Sequence, residues 1–598
     1  MLDLETLLRI PHVDQWVGFD PSPDGREVVF SHNQAGHWQI YTTSLVDPGS
    51  MRRLSTGPGG RFGPRWSPAG DRLAWVVDLD GGEVYAVEVH DVATGSTANL
   101  TPGTSDSIQP DVDWSPGGAE LTFSSDRAGT FDTYAVSATG GAPRLVWASP
   151  RPHWGARWSP DGSHLAVVVE SSGQDTAIYL APAAGGDAWP IGVGDTPLPA
   201  GDPAWSPDGT RLAFSSNAGE RHRVGVLNLA TRAIDWLTGE DTDAGQVDWS
   251  PDGRSLAYVI SHGPLTELAV LDLALRRTVT FQVAPGVHHR PRFVGPRHLV
   301  FAFDNPAHPP DLWLLDLASA ELRQLTHSLP AELRDAPWVV PDLVTYPSLD
   351  GTPVPALLYT PAGSGDEPPP AVVYVHGGPG WLTQVTWDPV VQHMVSRGWA
   401  VLAPNYRGST GYGRAWQLAN RFDLGGCDTR DVVAGADYLV RERLADPRRI
   451  ALTGRSWGGY LTMTGLTFYP DRWAAGSAVV PFLNWFTAHA NVRPDLQHWD
   501  LENFGHPERD RDLYHERSPF FFLDRVTAPV QLICGAHDPR CPASESIQAR
   551  DALVTAGKPC DLLLYEDEGH SFLKTENVVD AELRRVAFLA AALDKPLA

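Results

Sequence analysis

A short segment, an aromatic residue followed by Ser-Pro-Asp-Gly, recurs along the first half of the chain and constrains the fold more than any other feature. Counting degenerate copies, it occurs seven times, beginning at Pro21 and closing in weakened form at Phe293. The serines of the first six copies are 44 to 48 residues apart: Ser22, Ser67, Ser115, Ser159, Ser206 and Ser250. This period is the length of a four-stranded propeller blade. Seven copies therefore predict a seven-bladed β-propeller.

The residues of each copy suit a turn between two strands. Proline presets φ at the second turn position, aspartate tolerates the third, and glycine accepts the positive φ that closes the turn. The residues that follow, such as Arg211–Phe214, alternate as a strand does. We expect the aromatic residue to pack between blades rather than to stack on a ligand, because buried aromatic side chains dominate core energetics.

The chain divides into two predicted domains. At 598 residues it is too long for a single core. The repeat fades after Leu325, and Pro330–Pro341 is typical of a linker. We predict that residues 1–335 form the propeller, with a short amphipathic helix at the N-terminus, and that residues 336–598 form the second domain.

From Val344 onward, apolar strand-like runs alternate with helical segments. This order predicts a mostly parallel sheet covered by helices, as in α/β-hydrolases. The predicted central strands are Ala371–Val375, Trp399–Ala403, Arg449–Leu452, Gly476–Val480, Val530–Cys534 and Leu562–Tyr565. The predicted helices are Val390–Arg397, Thr429–Glu442, Tyr460–Phe468 and Ser544–Ala556.

Composition excludes several functional classes. No apolar run approaches the ~20 residues of a membrane span, so we expect no membrane partner. The formal charge of −26 disfavours nucleic acid, whose binding needs a basic stripe. The N-terminus carries acid early and lacks a basic start, unlike a signal peptide. The four cysteines lack CxxC spacing and are typical of free thiols. We therefore expect a cytoplasmic protein, with no metal and no cofactor.

Gly454-Arg455-Ser456-Trp457-Gly458 is the sequence's one match to GxSxG. It directly follows a predicted strand and precedes a helical segment, which is the context of a nucleophile elbow. In such an elbow any flanking side chain would collide, so Gly454 and Gly458 are steric requirements. We predict that Ser456 is the nucleophile; a glycine-rich strand–helix turn without chemistry is the competing interpretation.

A serine nucleophile needs a base, and the base needs an acid that holds its tautomer. In this fold the acid precedes the histidine, each after a strand. Asp538 and His570 occupy these places. His537 is a rival base, but a residue adjacent to the acid points elsewhere on an extended loop. The rival acids, which lie in the loop of His570 itself, are Glu566 and Asp567.

An acyl-transfer site also needs two N–H donors for the oxyanion. The residue after the nucleophile, Trp457, supplies the first. His376-Gly377-Gly378-Pro379-Gly380 follows the predicted strand Ala371–Val375, and its glycines allow close approach to a substrate. We predict Gly378 as the second donor. A plain tight turn is the alternative.

These motifs resemble those of the prolyl oligopeptidase family of serine peptidases, and of its acylaminoacyl-peptidase branch, over essentially the whole chain. The residues that carry the resemblance are His376–Pro379, Asn405–Gly413, Gly454–Tyr460, Asp538–Pro542 and Gly569–Phe572. The resemblance implies an active site at the interface of the two domains, where the propeller restricts entry to peptides and small molecules. It also implies that Arg540 binds a substrate carbonyl, a role that suits a guanidinium. A salt bridge within the loop is the alternative.

Two departures refine the expected substrate. The dipeptidyl-peptidase branch holds the substrate's free amine with a glutamate pair, and the repeats offer no convincing equivalent. Release of an acylated or other N-terminal residue, or cleavage of short peptides, is therefore favoured over dipeptide release. Phe482, Trp485 and Phe486 are the predicted acyl pocket, which would accept a hydrophobic side chain. Core packing explains these aromatic residues equally well.

The leading hypothesis is a serine peptidase that hydrolyses short or acylated peptides through an acyl-enzyme on Ser456. A carboxylesterase or amidase acting on small non-peptide acyl compounds is the alternative, since the same three residues serve either reaction. A binding propeller with an inactive hydrolase domain is a third hypothesis. The sequence leaves the oligomeric state open, including a homo-oligomer.

Overall fold

The computed structural model describes residues 1–16, 18–49, 51–103, 108–194, 196–363 and 367–594. The chain forms two compact units. One comprises Pro11–Leu79 and Glu83–Pro330, and the other comprises Met1–Ile10, Asp80–Gly82 and Ala331–Ala598.

Within the described residues, the first unit contains seven four-stranded antiparallel sheets, which confirms the predicted seven-bladed propeller. The strands, blade by blade, are Phe19–Pro21, Glu27–His32, Gln39–Ser44 and Arg52–Arg53; Gly60–Trp66, Arg72–Asp78, Ala86–Asp91 and Thr97–Asn99; Ile108–Trp114, Glu120–Ser125, Asp132–Ser137 and Arg144–Trp147; His153–Trp158, His164–Glu170, Thr176–Pro182 and Trp189–Pro190; Gly201–Trp205, Arg211–Ser216, Arg223–Asn228 and Ile234–Trp236; Asp243–Trp249, Ser255–His262, Leu265–Asp272 and Arg277–Phe281; Val287–Val294, His298–Asn305, His308–Asp316 and Leu322–Gln324. A two-stranded ribbon, Gly192–Val193 with Thr196–Pro197, precedes the fifth blade.

The repeat closes the turn between the first two strands of a blade. In the fifth blade the Ser206 hydroxyl donates to Asp208 Oδ1 at 2.6 Å and accepts the backbone N–H of Arg211 at 2.9 Å. The aspartate therefore holds the serine in place as well as fitting the turn. Trp205 Nε1 donates to the carbonyl of Arg157 in the fourth blade at 2.9 Å, so the aromatic residue ties neighbouring blades together.

The second unit is built on an eight-stranded sheet. Its strands are β1 (Asp342–Pro347), β2 (Pro353–Tyr359), β3 (Ala371–Val375), β4 (Ala400–Pro404), β5 (Ile450–Arg455), β6 (Ala475–Val479), β7 (Val530–Gly535) and β8 (Cys560–Tyr565). The strand order is β1-β2-β4-β3-β5-β6-β7-β8, and β2 is antiparallel to both of its neighbours. From β4 to β8 all pairings are parallel, which confirms the predicted α/β-hydrolase fold.

Helices of this unit are α1 (Leu4–Leu8), α2 (Pro389–Ser396), α3 (Arg414–Leu418), α4 (Cys427–Arg441), α5 (Trp457–Phe468), α6 (Trp485–Asn491), α7 (Pro494–Asn503), α8 (Arg511–Glu516), α9 (Ala543–Thr555) and α10 (Thr575–Leu593). Short 3₁₀ helices are Ala331–Leu333, Pro470–Arg472 and Pro519–Arg525. The central strands are buried on both sides by these helices, as near-continuous apolar runs require. Among the described helices, none combines the length and the apolar character that a membrane crossing needs.

The N-terminal helix α1 packs against α2 and α10 of the hydrolase unit. It buries Leu4 and Leu7, and the His393 ring bonds the carbonyl of Leu2 at 2.7 Å. Arg9 pairs with Glu576 at the start of α10, at 2.6 Å. The first ten residues are therefore structural members of the hydrolase unit.

Candidate active site

Ser456 lies in the turn between β5 and α5, with φ 56° and ψ −119°. A non-glycine residue at positive φ is strained, and the surrounding backbone holds this one through a 2.8 Å bond from Ser456 N–H to the carbonyl of Val479. A Cβ at Gly454 would lie 2.5 Å from the carbonyl oxygen of Val375, and one at Gly458 only 2.1 Å from it. Both glycines are therefore steric necessities of this elbow.

Ser456, His570 and Asp538 form one hydrogen-bonded chain. His570 Nε2 lies 3.0 Å from Ser456 Oγ, and His570 Nδ1 lies 2.8 Å from Asp538 Oδ2. The other carboxylate oxygen of Asp538 accepts the backbone N–H groups of Arg540 and Cys541, each at 2.8 Å. The carboxylate is thus fixed from both sides, and it fixes the ring of His570 in turn.

The rival residues lie outside this chain of hydrogen bonds. His537 is exposed on its loop, and the carboxylate of Asp567 pairs with Lys574 at the surface. Asp538 and His570, by contrast, are only 5% and 8% exposed. The structure therefore brings together the three residues that the strand order singled out.

Two residues that the sequence did not reveal shape the histidine loop. Glu568 is fully buried and accepts the N–H groups of Leu573 at 2.7 Å and Lys574 at 3.1 Å, while burial raises its pKa. Arg455, directly before the nucleophile, donates from Nη2 to the carbonyl oxygen of His570. Its partner is 115 residues away, so no local signal could have found this contact.

The glycine loop after β3 packs directly against the elbow. A Cβ at Gly377 would lie 3.3 Å from Ser456 Cβ and 3.0 Å from the Arg455 carbonyl oxygen. Gly378 has φ +131°, which side chains disfavour. The neighbouring His376 anchors the loop, since its Nε2 lies 2.9 Å from Ser409 Oγ. Burial lowers the pKa of His376 to about 4, so the ring is neutral.

The other predicted oxyanion residue, Trp457, begins α5 beside Ser456. Its side chain is buried, and its indole N–H donates to Asp428 Oδ2 at 3.3 Å. The indole is thereby held away from the elbow backbone. The donation of oxyanion N–H groups by Trp457 and Gly378 stays a prediction, and the close packing of both segments around Ser456 is compatible with it.

The predicted acyl-pocket residues differ in their surroundings. Trp485 is 2% exposed, stacks on Phe504 at 3.9 Å and donates to the hydroxyl of Tyr460 at 3.1 Å. These contacts are those of a core residue, in agreement with the core-packing alternative. Phe482, 8% exposed, stacks on Tyr460, whereas Phe486 is partly exposed. Phe482 and Phe486 remain the candidates for substrate contact.

The loop after Asp538 carries two further residues of interest. Arg540 is exposed there, so its guanidinium is accessible to a ligand. The thiol of Cys541 is buried in contact with Ser456. Burial raises the pKa of this thiol well above its usual value, so Cys541 is a neutral neighbour of the hydroxyl rather than a second nucleophile.

The second unit belongs to the α/β-hydrolase class. Its serine follows β5, its aspartate follows β7 and its histidine follows β8, and hydrogen bonds join the three. Residues 385–596 match the model of the prolyl oligopeptidase family, and residues 21–188 match the TolB beta propeller domain. The C-terminal part of the chain is therefore a prolyl oligopeptidase family domain, which confirms the resemblance seen in the motifs.

Curated relatives include the dipeptidyl aminopeptidase BIII of Pseudoxanthomonas mexicana, 34% identical over 39% of this chain, and the acylamino-acid-releasing enzyme of Rattus norvegicus, 31% identical over 39%. These matches span 34% and 33% of the relatives' own lengths, so about a third of each. Among solved structures, a Mycobacterium tuberculosis puromycin-hydrolyzing peptidase has a TM-score of 0.84 at 23% identity, covering 99% of this chain and 96% of that one. At this identity the likeness shows the fold.

Proposed function

We propose that this protein is a serine peptidase that hydrolyses short peptides through an acyl-enzyme on Ser456, of the acylaminoacyl-peptidase or oligopeptidase type. The observation that carries the proposal is the continuous hydrogen-bonded chain from Ser456 Oγ through the His570 ring to Asp538. This arrangement activates a hydroxyl for attack on a carbonyl.

In the proposed mechanism each residue has a step. The Nδ1–H of His570 donates to Asp538, so the lone pair of Nε2 faces the Ser456 hydroxyl and takes its proton during attack. Asp538 stabilises the imidazolium that results. The N–H groups of Trp457 and Gly378 would bind the oxyanion. His570 then gives its proton to the leaving amine, and water releases the acyl group by the same steps.

Peptides are the favoured substrates for reasons outside the three catalytic residues. The matching family is one of oligopeptidases, and two of the similar proteins named above are peptidases by name, while the third is an acylamino-acid-releasing enzyme. Arg540 is exposed beside the catalytic aspartate, where it would bind a substrate carbonyl. The lack of a recognisable glutamate pair favours an acylated or other N-terminal residue over release of dipeptides. The cytoplasmic location and a homo-oligomeric state stay predictions.

Turnover of acyl-aminoacyl anilides, compared with that of simple esters, tests the substrate class. We expect hydrolysis of the anilides, labelling of Ser456 by a fluorophosphonate, and loss of both in Ser456→Ala. Asp538→Asn should lower kcat by roughly 10⁴, the effect of the same change in the Ser-His-Asp template, because it allows the wrong imidazole tautomer. Activity on esters alone would exclude the peptidase, and an unlabelled Ser456 would indicate an inactive hydrolase domain.

A further inference from the structure

The first strand of each blade contacts the first strands of its neighbours, so these seven strands surround the axis of the propeller. Each of these strands has one residue at the same level of the ring. It is the residue directly before the aromatic residue of the repeat, or directly before Pro21 in the first copy. In blade order the residues there are Asp20, Arg65, Asp113, Arg157, Ala204, Asp248 and Arg292. Their charges alternate in sign, and a ring of seven cannot alternate completely. The neutral Ala204 stands where the alternation is interrupted.

The carboxylates of this ring are satisfied by neighbouring blades. Asp20 accepts the backbone N–H of Trp66, in the next blade, at 2.9 Å. Asp113 and Asp248 accept the corresponding N–H groups of their own next blades at 2.9 and 2.8 Å. Each aspartate therefore links one blade to the next, and none requires an arginine as its only partner.

Two arginines of the inner strands also have carboxylate partners. Arg157 Nη1 lies 2.9 Å from Asp111 Oδ2. Arg292 lies between two carboxylates, 3.4 Å from Asp20 and 3.7 Å from Asp248. The side chains of Arg157 and Arg292 nevertheless remain 28% and 40% exposed, so solvent reaches the inner surface of the ring.

Arg65 and Arg290 differ from these two. In the described ranges neither guanidinium has a carboxylate oxygen within 4.0 Å. At longer range the charges of Asp20 and Asp111 raise the pKa of Arg65. Those of Asp111 and Asp202 raise the pKa of Arg290. The Nη1 atoms of both arginines lie 3.9 Å from the point that a Cβ of Gly18 would occupy. They are therefore no more than twice 3.9 Å apart, and they face the same small space.

Burial lowers the pKa of both Arg65 and Arg290, and the like-charged Arg157 lowers the pKa of each further. An oxyanion between them would accept hydrogen bonds from both, and the planar fork of a guanidinium matches carboxylate and phosphate geometry. Gly18 has φ +95°, and a Cβ placed there would touch Cδ of Arg290 at 3.7 Å and Nη1 of both arginines at 3.9 Å.

We propose that Arg65 and Arg290, facing each other across Gly18, form an anion-binding site on the propeller axis for a carboxylate or phosphate group. Both arginines belong to the propeller unit, and neither is one of the three proposed catalytic residues. It is independent of the proposed peptidase reaction, because its ligand is recognised by charge alone.

Calorimetric titration of the full-length protein tests this proposal, with inorganic phosphate in one arm and N-acetylglycine in the other. N-acetylglycinamide is the matched uncharged probe. We expect binding in at least one of the charged arms, and the two arms decide whether phosphate or a peptide-type carboxylate is the ligand. Absence of binding in both arms, or equal binding of the amide, would overturn the proposal.

Variants locate the site. Arg65→Gln and Arg290→Gln should each weaken anion binding at least tenfold, whereas Arg254→Gln, at an exposed turn arginine of the same propeller, should leave it unchanged. Without anion, the glutamine variants should unfold at the wild-type temperature or above, because the cost of burying each guanidinium is removed. If a glutamine variant does not fold, Arg65→Lys keeps the charge and should bind with intermediate affinity. Equal weakening in Arg254→Gln would contradict the assignment.

Discussion

Arg455→Met should slow catalysis although Arg455 is not one of the three proposed catalytic residues. Its guanidinium donates to the carbonyl of His570, and it lies 6.0 Å from the ring centre of Phe572 on the same loop. A hydrogen bond from a charged donor contributes about 1.5–3 kcal/mol. If this free energy holds the imidazole at Ser456, its loss lowers kcat by roughly 10- to 150-fold, since 1.4 kcal/mol is tenfold in rate.

The substrate-binding residues are untouched by this change, so KM should move much less than kcat. Arg455→Lys keeps a charged donor and should recover part of the rate. Arg584→Met, at an exposed arginine of α10, is the matched control and should behave as wild type. The measurement is kcat and KM on an acyl-aminoacyl anilide, beside the unfolding temperature of each variant. A kcat within twofold of wild type for a folded Arg455→Met would refute the reasoning.

Three further changes test separate parts of the structure. Arg540→Ala should reduce kcat/KM on peptides more than on minimal esters; equal loss on both would indicate a structural arginine. Burial raises the pKa of Asp428 to about 7, so wild-type stability should fall as pH rises from about 4 through 7. Asp428→Asn should therefore stabilise the protein by up to about 4 kcal/mol at pH 8 and by less at pH 5, and an equal gain at both in thermal unfolding would contradict this. Leu7→Ala, at a side chain 1% exposed in α1, should cost about 2–5 kcal/mol in denaturant unfolding, whereas the exposed Leu349→Ala should cost almost nothing.

The central strands of the hydrolase sheet were predictable because each is a short apolar run that ends in a recognisable motif. Ala371–Val375 is found with the predicted bounds, and the other five shift by a few residues. The strands β1 and β2 were not predicted. β1 is the edge strand and is largely exposed, so it lacks a buried apolar run. In β2 the prolines Pro353 and Pro355 interrupt the strand pattern of the sequence before the buried run Ala356–Tyr359.

The residues proposed for chemistry were predictable because chemistry imposes local sequence requirements. Ser456 needs small neighbours, and Asp538 and His570 each follow a strand. The residues that position them carry no such requirement. Arg455 occupies a variable position of GxSxG, and its contact with His570 exists only because the parallel sheet brings the ends of β5 and β8 to one side. In the sequence Glu568 is one of several acidic residues in its loop, and only its burial in the structure distinguishes it from the others.

The ring of charges in the propeller shows a second limit on what the sequence alone can predict. The residues directly before the aromatic residue of each repeat can be found in the sequence. The alternation of their charges becomes informative only when the seven strands close into a ring and the first blade meets the last. A linear array could alternate without interruption, whereas a closed ring of seven must contain one mismatch. Ala204 absorbs that mismatch at this level, and Asp111 then pairs Arg157 from a second level. At the level of Ala204 three aspartates balance three arginines, and Arg290 comes from the second level, two residues before Arg292, so the proposed anion site combines arginines of two levels.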